Sequence, residues 1–266
     1  MDLASIIGLV LAAGMVLFSM ILGGSGIAIF LHLPSMALVL GGSFAAIMIA
    51  NPIERIVAIP RLIKVIFHKK HYDFGKVISQ IVTFSDKARK DGLLSLETDV
   101  NKVDDELLKN GLQLVVDGTD PEIIKKIMHH ELNYLQERHE KGVKLFSTWG
   151  TLAPAFGMIG TLAGLISMLA HLQDTDGIGR GMSLALITTL YGTMLANMVL
   201  IPFRSKLQDK DREEVLLKEI IIEGILSIHC GDNPLIVEAK LVSFIAPEDR
   251  DMTIAEIKAD LDYIHK

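Results

Sequence analysis

Thr161, Thr188 and Thr189 are the residues of this chain best equipped for chemistry in an apolar setting. A threonine hydroxyl is a hard oxygen that can coordinate a small cation or pass a hydrogen bond along a proton relay. It can equally bond back to a carbonyl of its own helix, the usual habit of a threonine in a membrane span. Spacing alone does not choose between these uses. All three sit in uncharged sequence: Leu145–Gln173 and Gly181–Phe203 contain no Asp, Glu, Lys or Arg. Each stretch has the length, about 20 residues, that crosses a hydrocarbon core. An ion following them would meet no carboxylate, so any ion-holding carboxylate must come from another chain.

The elements that position these hydroxyls carry small residues at helical steps. Gly157, Gly160, Thr161, Gly164, Ser167 and Met168 share one side of the first stretch. Gly181, Ala185, Thr188, Thr189, Gly192, Thr193 and Ala196 do the same in the second. Lipid offers little hydrophobic gain from helix contact, so small residues that let backbones approach are what hold spans together. Close packing is therefore the role expected of most of these glycines and alanines. Phe146 and Trp149 are expected to anchor the inner membrane interface, where aromatic residues collect.

Charge is segregated along the whole chain. Lys and Arg number 26 and Asp and Glu 32 in 266 residues, half of which are hydrophobic. The mean hydropathy of +0.41 is that of a membrane protein with sizeable water-exposed parts. A further uncharged stretch, Leu3–Ile53, is interrupted at Gly23-Gly-Ser-Gly26 and His32-Leu-Pro34. It reads as two spans, Leu3–Leu22 and Leu33–Ala50, which makes four transmembrane helices in all. Lys and Arg crowd the segments after span two (Arg55, Arg61, Lys64, Lys69, Lys70), before span three (Arg138, Lys141, Lys144) and after span four (Arg204, Lys206, Lys210, Arg212). The turns on the other side carry only Arg180. The positive-inside rule places both large polar regions and both termini in the cytoplasm. Met1-Asp2 lacks the basic start of a secretory signal, so span one is expected to be retained. The single cysteine, Cys230, allows no internal disulfide.

Residues 54–144 form a water-exposed region between spans two and three, and residues 204–266 form a tail. Helices are predicted over Asp73–Lys90 and Ser95–Lys109, broken at Asp91-Gly92. Thr119-Asp-Pro121 opens a third helix that can run unbroken into span three. Span four is predicted to continue to Cys230-Gly231, with new helices starting at Asn233-Pro234 and at the capping box Thr253-Ile-Ala-Glu256. Large apolar residues look too few for a big independent core here, which suggests that these helices pack on one another and on neighbouring subunits. His129-His130 lacks the spacing and the cysteine partner of a metal site. There is no phosphate-binding loop, nucleophile triad or nucleic-acid patch.

The segments Pro154-Ala-Phe-Gly-Met-Ile-Gly-Thr-Leu-Ala-Gly164, Thr188-Thr-Leu-Tyr-Gly-Thr-Met-Leu-Ala-Asn197, Leu33-Pro34-Ser-Met and Gly41-Gly42 closely resemble the MotA/PomA family. These proteins are the A subunits of bacterial flagellar stators. The four-span layout, short outer turns, large inner loop and basic junctions resemble them too, over essentially the whole chain. The resemblance implies an all-α membrane protein of the bacterial inner membrane, with four transmembrane helices and a helical cytoplasmic domain. It implies five copies around a pair of MotB/PomB-type B subunits, whose single membrane aspartate carries the ion. It also implies a role in motility and chemotaxis without enzymatic activity or a resident cofactor.

Residue by residue, Pro154 matches the proline at the start of span three and Pro202 the one at the cytoplasmic end of span four. Both are linked in the family to coupling ion passage to movement. A helix proline removes one backbone hydrogen bond and makes a hinge, although either proline could simply mark a helix end. Arg89, Lys90 and Glu97 match the charged residues that face the rotor protein FliG, where the bland alternative is a solvated charged face. Thr161 with Thr188 and Thr189 matches the sodium-driven PomA-like pattern, since proton-driven relatives often have a smaller apolar residue at Thr161. A water wire for protons would also accept these hydroxyls. The nearest rival is an ExbB/TolQ-type energiser, against which the double span before Glu54 argues. A self-sufficient transporter would carry its own intramembrane charge. A passive scaffold would use the threonines for packing alone.

Overall fold

The computed structural model describes residues 3–24, 26–68, 72–248, 250–251, 254–255 and 257. Among these residues there are helices and turns but no strand. Four helices are long and apolar enough to cross a membrane: Leu3–Leu22, Leu33–Ala50, Pro121–Ala170 and Thr175–Cys230. The first two coincide with the spans expected from the interrupted Leu3–Ile53 stretch. The chain divides into two compact units, residues 1–70 with 139–209, and residues 71–138 with 210–266. The breaks at 138 and 209 lie six residues from the expected boundaries at 144 and 203, while the first lies 17 residues beyond 53 because the helices that follow span two belong to the first unit.

The first unit contains the uncharged stretches. Span one, Leu3–Leu22, buries no residue at all. A short 3-10 turn, Ile27–Phe30, leads to span two. His32 caps that span, its Nδ1 accepting from the Ser35 amide at 3.3 Å. The Tyr191 hydroxyl of span four donates to the Phe30 carbonyl and ties the turn down. Span two is not uniform, because Ala37–Gly41 forms a wider π-helical turn before the regular helix Gly42–Ala50. Gly42 is needed there: a Cβ at that position would lie 2.5 Å from the Phe156 ring of span three.

Two short helices, Ile53–Val57 and Ile59–Phe67, follow span two. They bring Ile56, Ile59 and Ile66 into a core with Ile47, Leu145, Phe146, Ala153, Ala196, Leu200 and Leu207. Phe203 meets Phe67 edge-on at 5.7 Å and Phe146 at 5.9 Å. Phe146, only 1% exposed, is thus a core residue rather than an interfacial anchor. Its aromatic partner, Phe203, lies 57 residues further along the chain and is itself edge-on to Phe67. Trp149 likewise turns towards span two, where its Nε1 donates to Ser43 Oγ at 3.1 Å and its ring lies 5.6 Å from Phe44. A buried indole N–H needs a partner more than a hydrated interface needs an indole.

In the second unit, Asp73 Oδ1 accepts from the Lys76 amide at 2.9 Å and starts the helix Phe74–Asp91. Gly92, at φ +85°, ends it. The continuous helix predicted over Ser95–Lys109 does not form. A 3-10 turn, Leu93–Leu96, and one helical turn, Glu97–Val100, are followed by a new helix, Glu106–Val116. The restart is electrostatic in origin. Asp105 Oδ1 accepts from the Leu107 and Leu108 amides at 3.0 and 3.2 Å, and the same carboxylate holds Lys218 at 2.7 Å. Asp99 grips Lys87 at 2.6 Å and Lys102 at 2.9 Å, closing the turn between the two pieces. Burial pushes the Asp99 carboxyl up, but hydrogen bonds and charge from both lysines outweigh it and hold it below the usual value.

Pro121 opens the helix that runs to Ala170, and Asn233 caps Pro234–Val242 through the Leu235 amide, as the residues at both starts suggest. The capping box at Thr253 and Glu256 lies outside the described residues. The expectation of a small core is wrong for this unit. Its buried apolar cluster runs through Ile78, Ile81, Leu96, Leu108, Leu112, Ile124, Met128, Ile221, Ile225, Val237 and Leu241 and is larger than that of the first unit. The residues come from two stretches distant in sequence, so no single window of the chain shows the whole core. Gly111 and Gly224 allow the approach, since a Cβ at either would lie under 3 Å from Met128 and Ile225 or from Ile81.

Candidate functional site

Spans three and four meet along a seam of backbone against backbone. A Cβ on Gly164 would lie 2.5 Å from the Gly181 carbonyl oxygen and 2.6 Å from the Ala185 nitrogen. A Cβ on Gly181 would lie 2.7 Å from the Gly164 oxygen, and one on Gly192 2.7 Å from the Ala153 oxygen. At Gly160 the space is taken by the Thr188 side chain, whose Cβ, Cγ2 and Oγ1 all stand 2.5 Å from the same construction. The small residues at helical steps therefore serve contact. They set a distance between the two spans that no larger side chain permits.

That contact separates the three threonines. Thr188 is fully buried, and its hydroxyl donates to the Leu184 and Ala185 carbonyls at 2.8 and 3.0 Å. It packs against Gly160. Thr161 and Thr189 come together beside the seam, hydroxyl to hydroxyl at 2.9 Å. Each also lies within reach of its own helix, Thr161 of Gly157 O at 2.9 Å and Thr189 of Ala185 O at 3.1 Å; with two protons among three contacts, one hydroxyl donates to the other and that one donates to its carbonyl. One turn further on, the Thr193 hydroxyl donates to Thr189 O and Asn197 Nδ2 to Thr193 O at 3.0 Å. The result is a short ladder of polar side chains with exposed members, Thr189, Thr193 and Asn197, on span four. Thr193 and Asn197 were missed as members of the polar path. Their i, i+4 spacing from Thr189 was the available signal.

Both prolines lie inside helices and mark no helix end. Pro154 sits within Pro121–Ala170, and its Cα would be 3.2 Å from a Cβ on Gly192. Pro202 follows a π-helical turn, Leu195–Leu200, inside the run Thr175–Cys230. Lacking an N–H, Pro202 cannot bond the carbonyl four residues back, and its ring crowds that oxygen in a regular helix. A wider turn immediately before it relieves the crowding, which gives the coincidence of the two features a physical cause.

Arg89, Lys90 and Glu97 are exposed in the second unit, the first two in the last turn of Phe74–Asp91 and Glu97 at the start of the next helical turn. Lys90 pairs with Asp86 at 2.6 Å. The rigid bend between them is held by Gly92 and by Ser95 Oγ, which donates to the Gly92 carbonyl at 2.7 Å.

An uncharged membrane helix pair, closed on glycine and edged by hydroxyls, has the form of an ion path that lacks a carboxylate of its own. The family signatures agree. One described as the MotA/TolQ/ExbB proton channel family matches residues 99–220, and one described as the N-terminal part of motility protein A matches residues 6–92. Motility protein A of Borreliella burgdorferi is 44% identical over 257 residues, which cover 97% of this chain and 99% of the relative. Chemotaxis protein PomA of Vibrio alginolyticus is 34% identical over 96% of this chain and all of its own length. Among solved structures, the flagellar MotAB stator complex from Bacillus subtilis matches with a TM-score of 0.86 and 35% identity, over 94% of this chain and 98% of the matched one. The chain belongs to the MotA family of flagellar stator subunits. The N-terminal match covers spans one and two and separates it from the ExbB/TolQ branch of the broader family.

Proposed function

We propose that this chain is the A subunit of an ion-driven flagellar stator, lying in the bacterial inner membrane with both termini and its water-exposed helices in the cytoplasm. One observation carries the reading: spans three and four bring a hydroxyl ladder to their shared edge and contain no charged residue. A path of that kind is completed by a carboxylate from a MotB/PomB-type partner. Five copies would surround two such partners. Ion binding and release at the partner carboxylate would then shift the ring about the hinges at Pro154 and Pro202. Arg89, Lys90 and Glu97 would deliver the movement to a FliG-type rotor protein. The chain does no covalent chemistry in this scheme. One monovalent ion crossing about 100 mV releases about 2.3 kcal/mol, so torque requires many ions in succession.

The transported ion in this reading is sodium. A sodium ion that sheds part of its water needs replacement oxygens. The paired Thr161 and Thr189 hydroxyls, with the carbonyls they touch, supply them. Thr188 contributes the packing that holds Thr189 in place. The test is swimming speed against external sodium at fixed pH and membrane potential, in cells lacking other stators and given this chain with its B subunit. Speed should rise with sodium and the dependence should weaken in Thr161→Ala. Full speed without sodium overturns the sodium assignment and leaves protons as the driving ion. Absence of motility with every B subunit tried overturns the stator reading itself.

A further inference from the structure

Span one is held loosely against span four, and the space between them is not empty in a bilayer. A half-open cavity of 470 Å³ is lined by Ser5, Gly8, Leu9 and Ala12 on span one and by Asn197, Met198, Pro202 and Phe203 on span four, with Ile66 from the helix after span two. That size falls in the usual range for small-molecule sites, about 300–1,000 Å³. Gly8 adds to the room, since a Cβ built there meets nothing within 4 Å. Ser205, Lys206 and Asp209 line the same cavity, just past the end of the uncharged stretch at Phe203.

We infer that this cavity is a phospholipid site, taking one acyl chain between spans one and four and a zwitterionic, amine-bearing headgroup at Lys206 and Asp209. The apolar part must be covered, because close-packed interiors do not tolerate large voids and span one buries none of its residues. Acyl chains are the medium these spans stand in. The charges select the headgroup. An ammonium favours a phosphate, as basic pockets at membrane surfaces do. A carboxylate three residues on repels a purely anionic lipid and suits a headgroup amine. An ammonium offers up to three donors and a carboxylate about four acceptor sites, the complement of a phosphate joined to an amine.

The site has a position from which it can act. Its wall includes Asn197, Met198 and Pro202, the widened turn and the proline that follows it. An acyl chain there bears directly on the part of span four where the helix widens and Pro202 withholds one backbone N–H. The inference does not depend on which ion is carried, so its failure and the failure of the sodium assignment are distinct results.

The experiment uses the full chain with its B subunit, purified in mild detergent from a membrane containing phosphatidylethanolamine and phosphatidylglycerol. Native mass spectrometry should find phosphatidylethanolamine retained at about one molecule per copy of this chain. Gly8→Phe, which fills the cavity, should lower that occupancy about tenfold. Lys206→Glu should lower it as well, while Lys125→Glu, an exposed position in the other compact unit, should not. A photoreactive residue at Leu9 should form an adduct with phospholipid. Unchanged lipid retention in Gly8→Phe overturns the proposal, and so does an adduct at Leu9 joining two copies of the chain, which would make the cavity a subunit contact.

Discussion

Adding a single methyl group at Gly164 should be far costlier, and far harder to compensate, than adding one at Gly160. An alanine Cβ at Gly164 starts 2.5 Å from a carbonyl oxygen and 2.6 Å from a backbone nitrogen of span four. Ordinary contact begins at 3.4 Å, so the spans must part locally by about 0.9 Å. Overpacking of that kind costs about 1–3 kcal/mol. Removing the Ala185 Cβ, 2.8 Å away, leaves the two nearer backbone atoms in place, so Ala185→Gly should restore little. At Gly160 the obstacle is entirely the Thr188 side chain, so Gly160→Ala should be largely rescued by Thr188→Gly, less about 1 kcal/mol of helix propensity. The assay is a double-mutant cycle on each pair, read as unfolding free energy in detergent and as swimming speed. A coupling near zero for Gly164 with Ala185, against at least 1 kcal/mol for Gly160 with Thr188, is expected. Gly164→Ala within about 0.5 kcal/mol of wild type, or an equal rescue in both pairs, refutes the reasoning.

Three other changes test other parts of the molecule. Ser43→Ala strands the Trp149 indole N–H and should cost about 1–3 kcal/mol; Trp149 is the only tryptophan, so its fluorescence reads the change directly. The Asp99 carboxyl is held below its unfolded value, so its stabilisation is complete above about pH 4 and disappears as pH falls through the lower folded value. Hydrogen exchange over Leu93–Val103 should therefore quicken with acid in the wild type, after correction for intrinsic rates. Asp99→Asn should be about 1 kcal/mol less protected at neutral pH and largely lose the acid dependence. Arg89→Glu and Glu97→Lys should impair swimming while leaving membrane insertion and partner binding intact. Exposed charges contribute about 0–1 kcal/mol to folding, and normal swimming of each single variant and of the pair would remove these residues from the rotor contact.

What could be read in advance was whatever local chemistry decides. Spans one and two end where they do because charge is absent within them and glycine, histidine and proline interrupt them. Asp73, Pro121 and Asn233 start helices by satisfying or lacking N–H groups within three residues of themselves. The break in Ser95–Lys109 escaped because Asp105 has two attractive uses, a helical cap and an ion pair with Lys218 far along the chain. Phe146 was misplaced for the same kind of reason, since it packs against Phe203, distant in sequence, within the core of the first unit. Thr188 and Thr189 are neighbours in sequence yet about 100° apart around a helix. Which one faces Gly160 and which meets Thr161 depends on the crossing of two spans, and no single-segment pattern contains that.

The π-helical turn at Leu195–Leu200 also bears on how span four tolerates changes of length. Such a turn is a regular helix with one residue too many, absorbed without breaking the hydrogen-bonded column. Deleting one residue within it would leave an unbroken, ordinary α-helix in place of a gap. Because the wide turn already absorbs the surplus, the helix beyond it would keep its facing, and Phe203 would keep its edge-on contacts with Phe67 and Phe146. What would change is local: Pro202 would follow a regular turn and crowd the carbonyl four residues back. A relative lacking one residue here would therefore share the contacts of this chain and differ in how freely span four bends before its proline.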